Sequence, residues 1–173
     1  MNEIVIQVPK ELTHPFFFPS GEISWNLFDQ TCFNPQKPFI YEAAYFHGME
    51  SLKPWSNTQE SVNELLDEWD KTKVALQASF KKRDRQSAAI QMKVGLGIFI
   101  EFLFWSNGQP VILYPKIDYR DLTIQPVNLH ERLEFILSRP TLYHSYMQLV
   151  ELMKEMEKVY EKAKALNNKK KSV

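Results

Sequence analysis

Arg139 and His144, in the run Ser138-Arg-Pro-Thr-Leu-Tyr-His144, are the residues of this chain whose types and spacing come nearest to chemistry. Pro140 suits the first position of a helix, which would put Arg139 at the cap and Thr141 in the first turn. A guanidinium beside the free backbone N–H groups of Thr141 and Leu142 would attract phosphate or carboxylate. His144, five residues on, is of the residue type that can move a proton. Arg139 and His144 are therefore the candidate catalytic pair, and Arg139 with Thr141 the candidate anion site. The bland alternative is that both residues only cap and solvate a helix.

Glu101 demands an explanation of a different kind. It lies in Ala88–Trp105, AAIQMKVGLGIFIEFLFW, where the other polar interruptions are Gln91 and Lys93. A buried carboxyl must be paired, hydrogen-bonded or protonated, so Glu101 calls for an Arg or Lys from another helix, or a Tyr hydroxyl. Weaker patterns yield less. His130 and Glu134 stand i, i+4, but two ligands do not make a metal site. Glu11 and His14 mimic a metal pair that Pro15 keeps out of a helix, and Glu60, Glu64 and Glu68 read as a solvated face. Cys32 has no neighbouring cation to activate it and reads as a small buried apolar residue. No metal and no cofactor is expected.

The spacing of Arg139 and His144 resembles the Arg-x4–6-His motif of HEPN domains, helical bundles many of which are ribonucleases that work without metal. The resemblance implies Arg139 stabilising a scissile phosphate and His144 acting on the ribose hydroxyl or the leaving oxygen, across a dimer two-fold. Pro140 departs from the polar residue usual after that arginine.

These residues need elements to hold them. A helix that is apolar all round must be enclosed by others or sit in a membrane, and the uncharged run Val94–Ile100 is far shorter than the ~20 residues of a bilayer span. The fold class is therefore all-α, a helical bundle around the central helix 88–106. Asn57 with Glu60 gives a capping-box pattern, and Val62, Leu65, Leu66, Trp69, Leu76 and Phe80 follow at helical spacing. The polar run 81–86 makes the turn, with Asp84 as cap. Asn107-Gly-Gln-Pro110 ends the central helix, and 111–126 is an extended crossover. Asn128 with Glu131 repeats the capping box ahead of a helix over 128–138. Leu142, Tyr146, Leu149, Met153, Met156, Tyr160 and Ala163 form the seam of a last helix over 140–166.

Residues 1–50 form an irregular aromatic arm. Ile4–Val8 is a short strand or an extended piece, and a brief ladder with Val111–Tyr114 is one pairing open to it. Pro15 and Pro19 keep Phe16–Phe18 out of a helix, so that run lies across the bundle as a lid. Short helices fit Ile23–Gln30 and Pro38–His47, the second stopped by Gly48. Residues 51–166 are the bundle, and 167–173 a disordered basic tail.

Composition sets outer bounds. The 173 residues suit one domain with tails, and 21 basic against 21 acidic residues leave no global field for nucleic acid or an anionic membrane. A single cysteine excludes a disulfide framework, and the N-terminus has no secretory pattern. Both point to the cytoplasm.

Leu52-Lys-Pro-Trp55, Trp69, Phe102-Leu-Phe-Trp-Ser-Asn-Gly-Gln-Pro110, Pro126-Val-Asn128 and Glu131-Arg-Leu-Glu-Phe-Ile-Leu-Ser-Arg-Pro140, with Tyr143-His-Ser-Tyr-Met-Gln-Leu149, resemble the YpoC-like family of Firmicutes. The resemblance spans about 52–160. It implies a bacterial cytosolic helical protein and carries over no catalytic residue. The leading expectation is a non-enzymatic module that binds another protein through the Arg139–His144 corner, with a homodimer as a further option. The alternative is a metal-independent ribonuclease, and only under it would nucleic acid be a partner. No membrane is expected.

Overall fold

The computed structural model describes residues 3–172. Among them are six helices: α1 Leu27–Thr31, α2 Ile40–Phe46, α3 Thr58–Lys81, α4 Arg85–Ser106, α5 Leu129–Ser138 and α6 Tyr143–Lys171. Two strands, β1 Ile4–Gln7 and β2 Glu22–Trp25, complete the fold. It is mostly helical, and α4 is its axis. Ala88, Met92 and every residue from Val94 to Trp105 are buried. By length and composition α4 could cross a membrane, yet 72% of its apolar window is buried inside the protein. α3 and α6 cover two sides; the arm covers another. Each fully buried Phe, Leu or Ile there stabilises the fold by roughly 1.5–3 kcal/mol.

Two glycines set how close the covering elements come. A Cβ on Gly95 would lie 3.1 Å from Trp69 of α3 and 3.3 Å from Leu149 of α6. One on Gly97 would lie 2.6 Å from the Pro38 ring, inside any real carbon–carbon contact. Gly97 thus admits the arm, and Gly95 the two flanking helices. Phe39, just after Pro38, is fully buried and takes the edge of Phe17 at 4.8 Å between ring centres. Phe16 and Phe18 pack half-buried beside it, so the triple-Phe run does lie across the bundle.

The helix ends fall where the sequence puts them more often than the caps do. Asp84 accepts the N–H of Ser87 at 3.1 Å and starts α4 as expected. At α3 the Asn57 amide bonds the Glu60 side chain instead of capping the backbone. At α5 Asn128 makes no side-chain cap either; it turns the chain in the left-handed region at φ 53°, a conformation asparagine tolerates. The reciprocal capping box is at α1, between Asn26 and Asp29.

Four expectations need correction. β1 pairs with β2 in an antiparallel hairpin, Ile4 opposite Trp25 and Gln7 opposite Glu22, and not with Val111–Tyr114. Leu113 and Tyr114 instead donate to the Glu11 carbonyl. The Ile23–Gln30 helix is therefore split: Ile23 and Trp25 alternate inward on a strand, and only Leu27–Thr31 is helical. Cys32 is exposed, because it ends α1 with its carbonyl turned in to accept the Tyr41 hydroxyl at 2.9 Å. The tail expected to be disordered continues α6 to Lys171, its three lysines stacked at the negative end of the helix dipole; Val173 lies outside the described residues.

Candidate functional site

Arg139 and His144 flank a tight corner between α5 and α6. The helix does not start at Pro140. α6 begins at Tyr143 with Leu142 as its N-cap, and Arg139 closes α5 at φ −142°, ψ 60°, outside the helical region that a following proline disfavours. The Arg139 carbonyl accepts the Leu142 N–H at 3.3 Å and the Ser145 hydroxyl at 2.6 Å. One of the two N–H groups expected to face an anion is therefore spent inside the turn. The anion cradle of Arg139 and Thr141 does not form in the expected shape.

The side chains at this corner are free. Arg139, Thr141 and His144 are all exposed, and no carboxylate among the described residues lies within ion-pair distance of Arg139. The His144 ring sits edge-on to Phe135, 5.4 Å between centres. Around it Tyr143 is 58% exposed, Leu142 44%, Met147 40% and Phe135 39%. Next to this corner a cleft of about 370 Å³ runs between the α5–α6 turn and the α3–α4 turn, with Thr141, Leu142 and Tyr143 facing Phe80, Arg83 and Arg85.

Glu101 is 1% exposed, as its neighbours require, but its partner is neither a cation nor a tyrosine. Its Oε1 accepts the backbone N–H of Phe39 at 2.8 Å. A further carboxyl in the same core is that of Glu42 of α2, itself fully buried. Glu42 Oε1 accepts the Trp105 Nε1–H at 2.6 Å and the Val111 N–H at 3.1 Å. The Oε2 atoms of both carboxyls are buried without a partner. Burial pushes Glu42 up to about 7, against the pull of its two N–H donors. Burial, and then the closeness of Glu42, lift Glu101 well above the usual carboxylate range. Two acids with no cation must hold at least one proton between them. This is a structural lock joining α2, α4 and the 107–111 connection, out of reach of any ligand.

Other polar groups fall on the surface. His130 Nε2 lies 3.5 Å from Glu134 Oε1 with both side chains exposed, and no cluster of three metal-ligating side chains occurs among the described residues. Glu60 and Glu64 are exposed as expected, whereas Glu68 is buried against the Gln36 amide. Arg132 of α5 forks onto Glu155 of α6 at 2.7 and 3.0 Å.

The family model described as YpoC-like protein matches residues 59–168. The chain belongs to the YpoC-like family. It is also similar to the "Uncharacterized protein YpoC" of Bacillus subtilis (strain 168), 34% identical over 119 residues that cover 66% of this chain and 71% of that protein. No solved structure matches it. The YpoC-like segment holds α4, α5 and nearly all of α3 and α6, and with them Glu101, Arg139 and His144. It leaves out Phe39 and Glu42, the two residues that complete the buried lock. Sequence reasoning missed Glu42 for a definable reason: a seven-residue helix, Ile-Tyr-Glu-Ala-Ala-Tyr-Phe, is too short to display a polar face against which Glu42 would look misplaced.

Proposed function

We propose that this YpoC-like chain is a non-enzymatic protein-interaction module of the bacterial cytoplasm, and that its contact surface is the α5–α6 corner around Arg139 and His144. One observation carries the reading: four large apolar side chains, Phe135, Leu142, Tyr143 and Met147, stand exposed on that corner beside an arginine that no carboxylate among the described residues pairs with. Apolar side chains gathered at one place and flanked by charge mark contact surfaces, and arginine and tyrosine are enriched where such contacts are strongest. Affinity capture with the intact chain tests this. A partner should be retained by the wild type and lost with Arg139→Glu, while the far-ultraviolet circular dichroism of the two proteins coincides. Capture that is indifferent to Arg139→Glu and to Tyr143→Ala would refute the corner as the contact.

The second reading is the metal-independent ribonuclease, and the joint exposure of Arg139 and His144 at one corner favours it. Cleavage of single-stranded RNA without divalent cation, abolished by His144→Ala, would support it; equal background from wild type and variant would exclude it for that substrate.

A further inference from the structure

The cleft beside the corner carries a more specific statement about the partner, and it rests on the interaction reading above. We propose that this cleft binds an acidic peptide segment that inserts one apolar side chain. Its walls are aromatic: Phe80 of α3 and Tyr143 of α6 meet edge to face, 5.5 Å between ring centres. Its floor includes the buried Ala88. At about 370 Å³ the hollow suits one large side chain, at the small end of the range of ligand pockets.

The rim decides the charge. Arg83 and Arg85 line the mouth, and neither has a carboxylate within ion-pair distance among the described residues. Lys81 and Lys82 precede them, so the run Lys-Lys-Arg-Asp-Arg carries four cations against one acid. That acid, Asp84, is occupied: its two oxygens take the Ser87 N–H and hydroxyl at 3.1 and 2.8 Å. Arg83 also holds a left-handed backbone at φ 55°, a conformation that residues other than glycine rarely adopt. A chain with no net charge has here a local cationic rim around an apolar hollow. The Phe80 and Tyr143 rings meet at 75° and so offer no parallel pair of faces to sandwich a base, which favours an apolar side chain over a nucleotide as the occupant.

The test uses the full chain and fluorescein-labelled peptides of about ten residues, each with one central leucine flanked by glutamates, by glutamines or by lysines. The glutamate peptide should bind saturably with micromolar affinity, and weaken as salt rises from about 50 to about 300 mM. Arg83→Glu with Arg85→Glu should weaken it at least about tenfold. Thr141→Trp, an exposed substitution that fills the hollow, should do the same with both arginines intact. Circular dichroism confirms that the variants are folded. Equal binding of the glutamine peptide would overturn the acidic partner and leave the interaction reading standing. Failure of the glutamate peptide to bind, or preferential binding of a uridine oligonucleotide through the two arginines, would overturn the proposal outright. A partner lost with Arg139→Glu but indifferent to Arg83→Glu/Arg85→Glu and to Thr141→Trp would remove the cleft while keeping the corner.

Discussion

Glu101 of α4 accepts the backbone N–H of Phe39, the residue that opens α2, across 62 residues of sequence. The central helix thereby caps a helix of the arm with a side chain. A carboxyl in that place is best neutral, because it has no cation and Glu42 stands in the same core. Glu101→Gln keeps an acceptor for Phe39 and removes the ionisation, so it should leave the melting temperature at pH 7 unchanged or higher. Glu101→Ala strands a buried N–H and opens a cavity, and should cost on the order of 3 kcal/mol in urea titration. Equal effects of the two substitutions would contradict the lock.

The pH dependence follows from the same pair. Glu42 is raised from 4.5 to about 7 by burial, so the folded protein keeps a proton that the unfolded chain releases. The resulting stability is complete below about pH 4.5 and is lost as pH rises through 7. The melting temperature should fall by about 5–10 °C between pH 5 and pH 8, and Glu42→Gln should flatten the slope. His14, lowered by burial, acts in the opposite sense; subtracting the Glu42→Gln profile isolates the carboxyl. A wild type whose stability rises over that interval as steeply as the variant's would exclude the protonated lock.

Gly97 and Gly95 separate two costs. Gly97→Ala drives a methyl to 2.6 Å from the Pro38 ring, which is tied to the backbone and cannot swing aside, and overpacking of this kind costs about 1–3 kcal/mol. Gly95→Ala meets the Trp69 ring edge and a Leu149 methyl at tight but yielding distances, and gains up to ~1 kcal/mol of helix propensity. Denaturation midpoints should therefore fall clearly for the first and little for the second.

Asp84→Ala removes the cap of α4 and should destabilise by about 1 kcal/mol. Because Asp84 also lines the cleft, the same variant should bind the glutamate peptide more tightly than the wild type. Fluorescence anisotropy measures the second effect and thermal unfolding the first.

How much of this was legible depended on the range of the interaction. The seam of α6 and the face of α3 repeat over many turns, and Tyr146, Leu149, Met153, Met156 and Tyr160 are buried as the spacing requires, whereas Leu142, at the N-cap, is exposed and Ala163 only half-buried. The burial of Glu101 followed from the residues beside it. Its partner did not, because a backbone N–H has no sequence signature and Phe39 lies 62 residues upstream, with all of α3 between them in the chain. The hairpin was hidden for a related reason: Glu-Ile-Ser-Trp alternates over only four residues, and Asn-Leu-Phe-Asp after it reads as the same helix. At the corner the last helix starts at Tyr143 and not at Pro140, since the proline keeps Arg139 before it out of the helix rather than opening the helix after it.

The lock is divided unevenly between the family-matched segment and the residues upstream of it. Residues 59–168 bring Glu101 and Trp105, both buried in this fold; the groups that quiet them, the Phe39 amide and the Glu42 carboxyl, come from upstream. Cutting the chain near residue 50 would thus do more than shorten it: water would reach an acid and an indole on the axis of the bundle, and a fragment drawn to the limits of the family match should be sticky and poorly cooperative in unfolding.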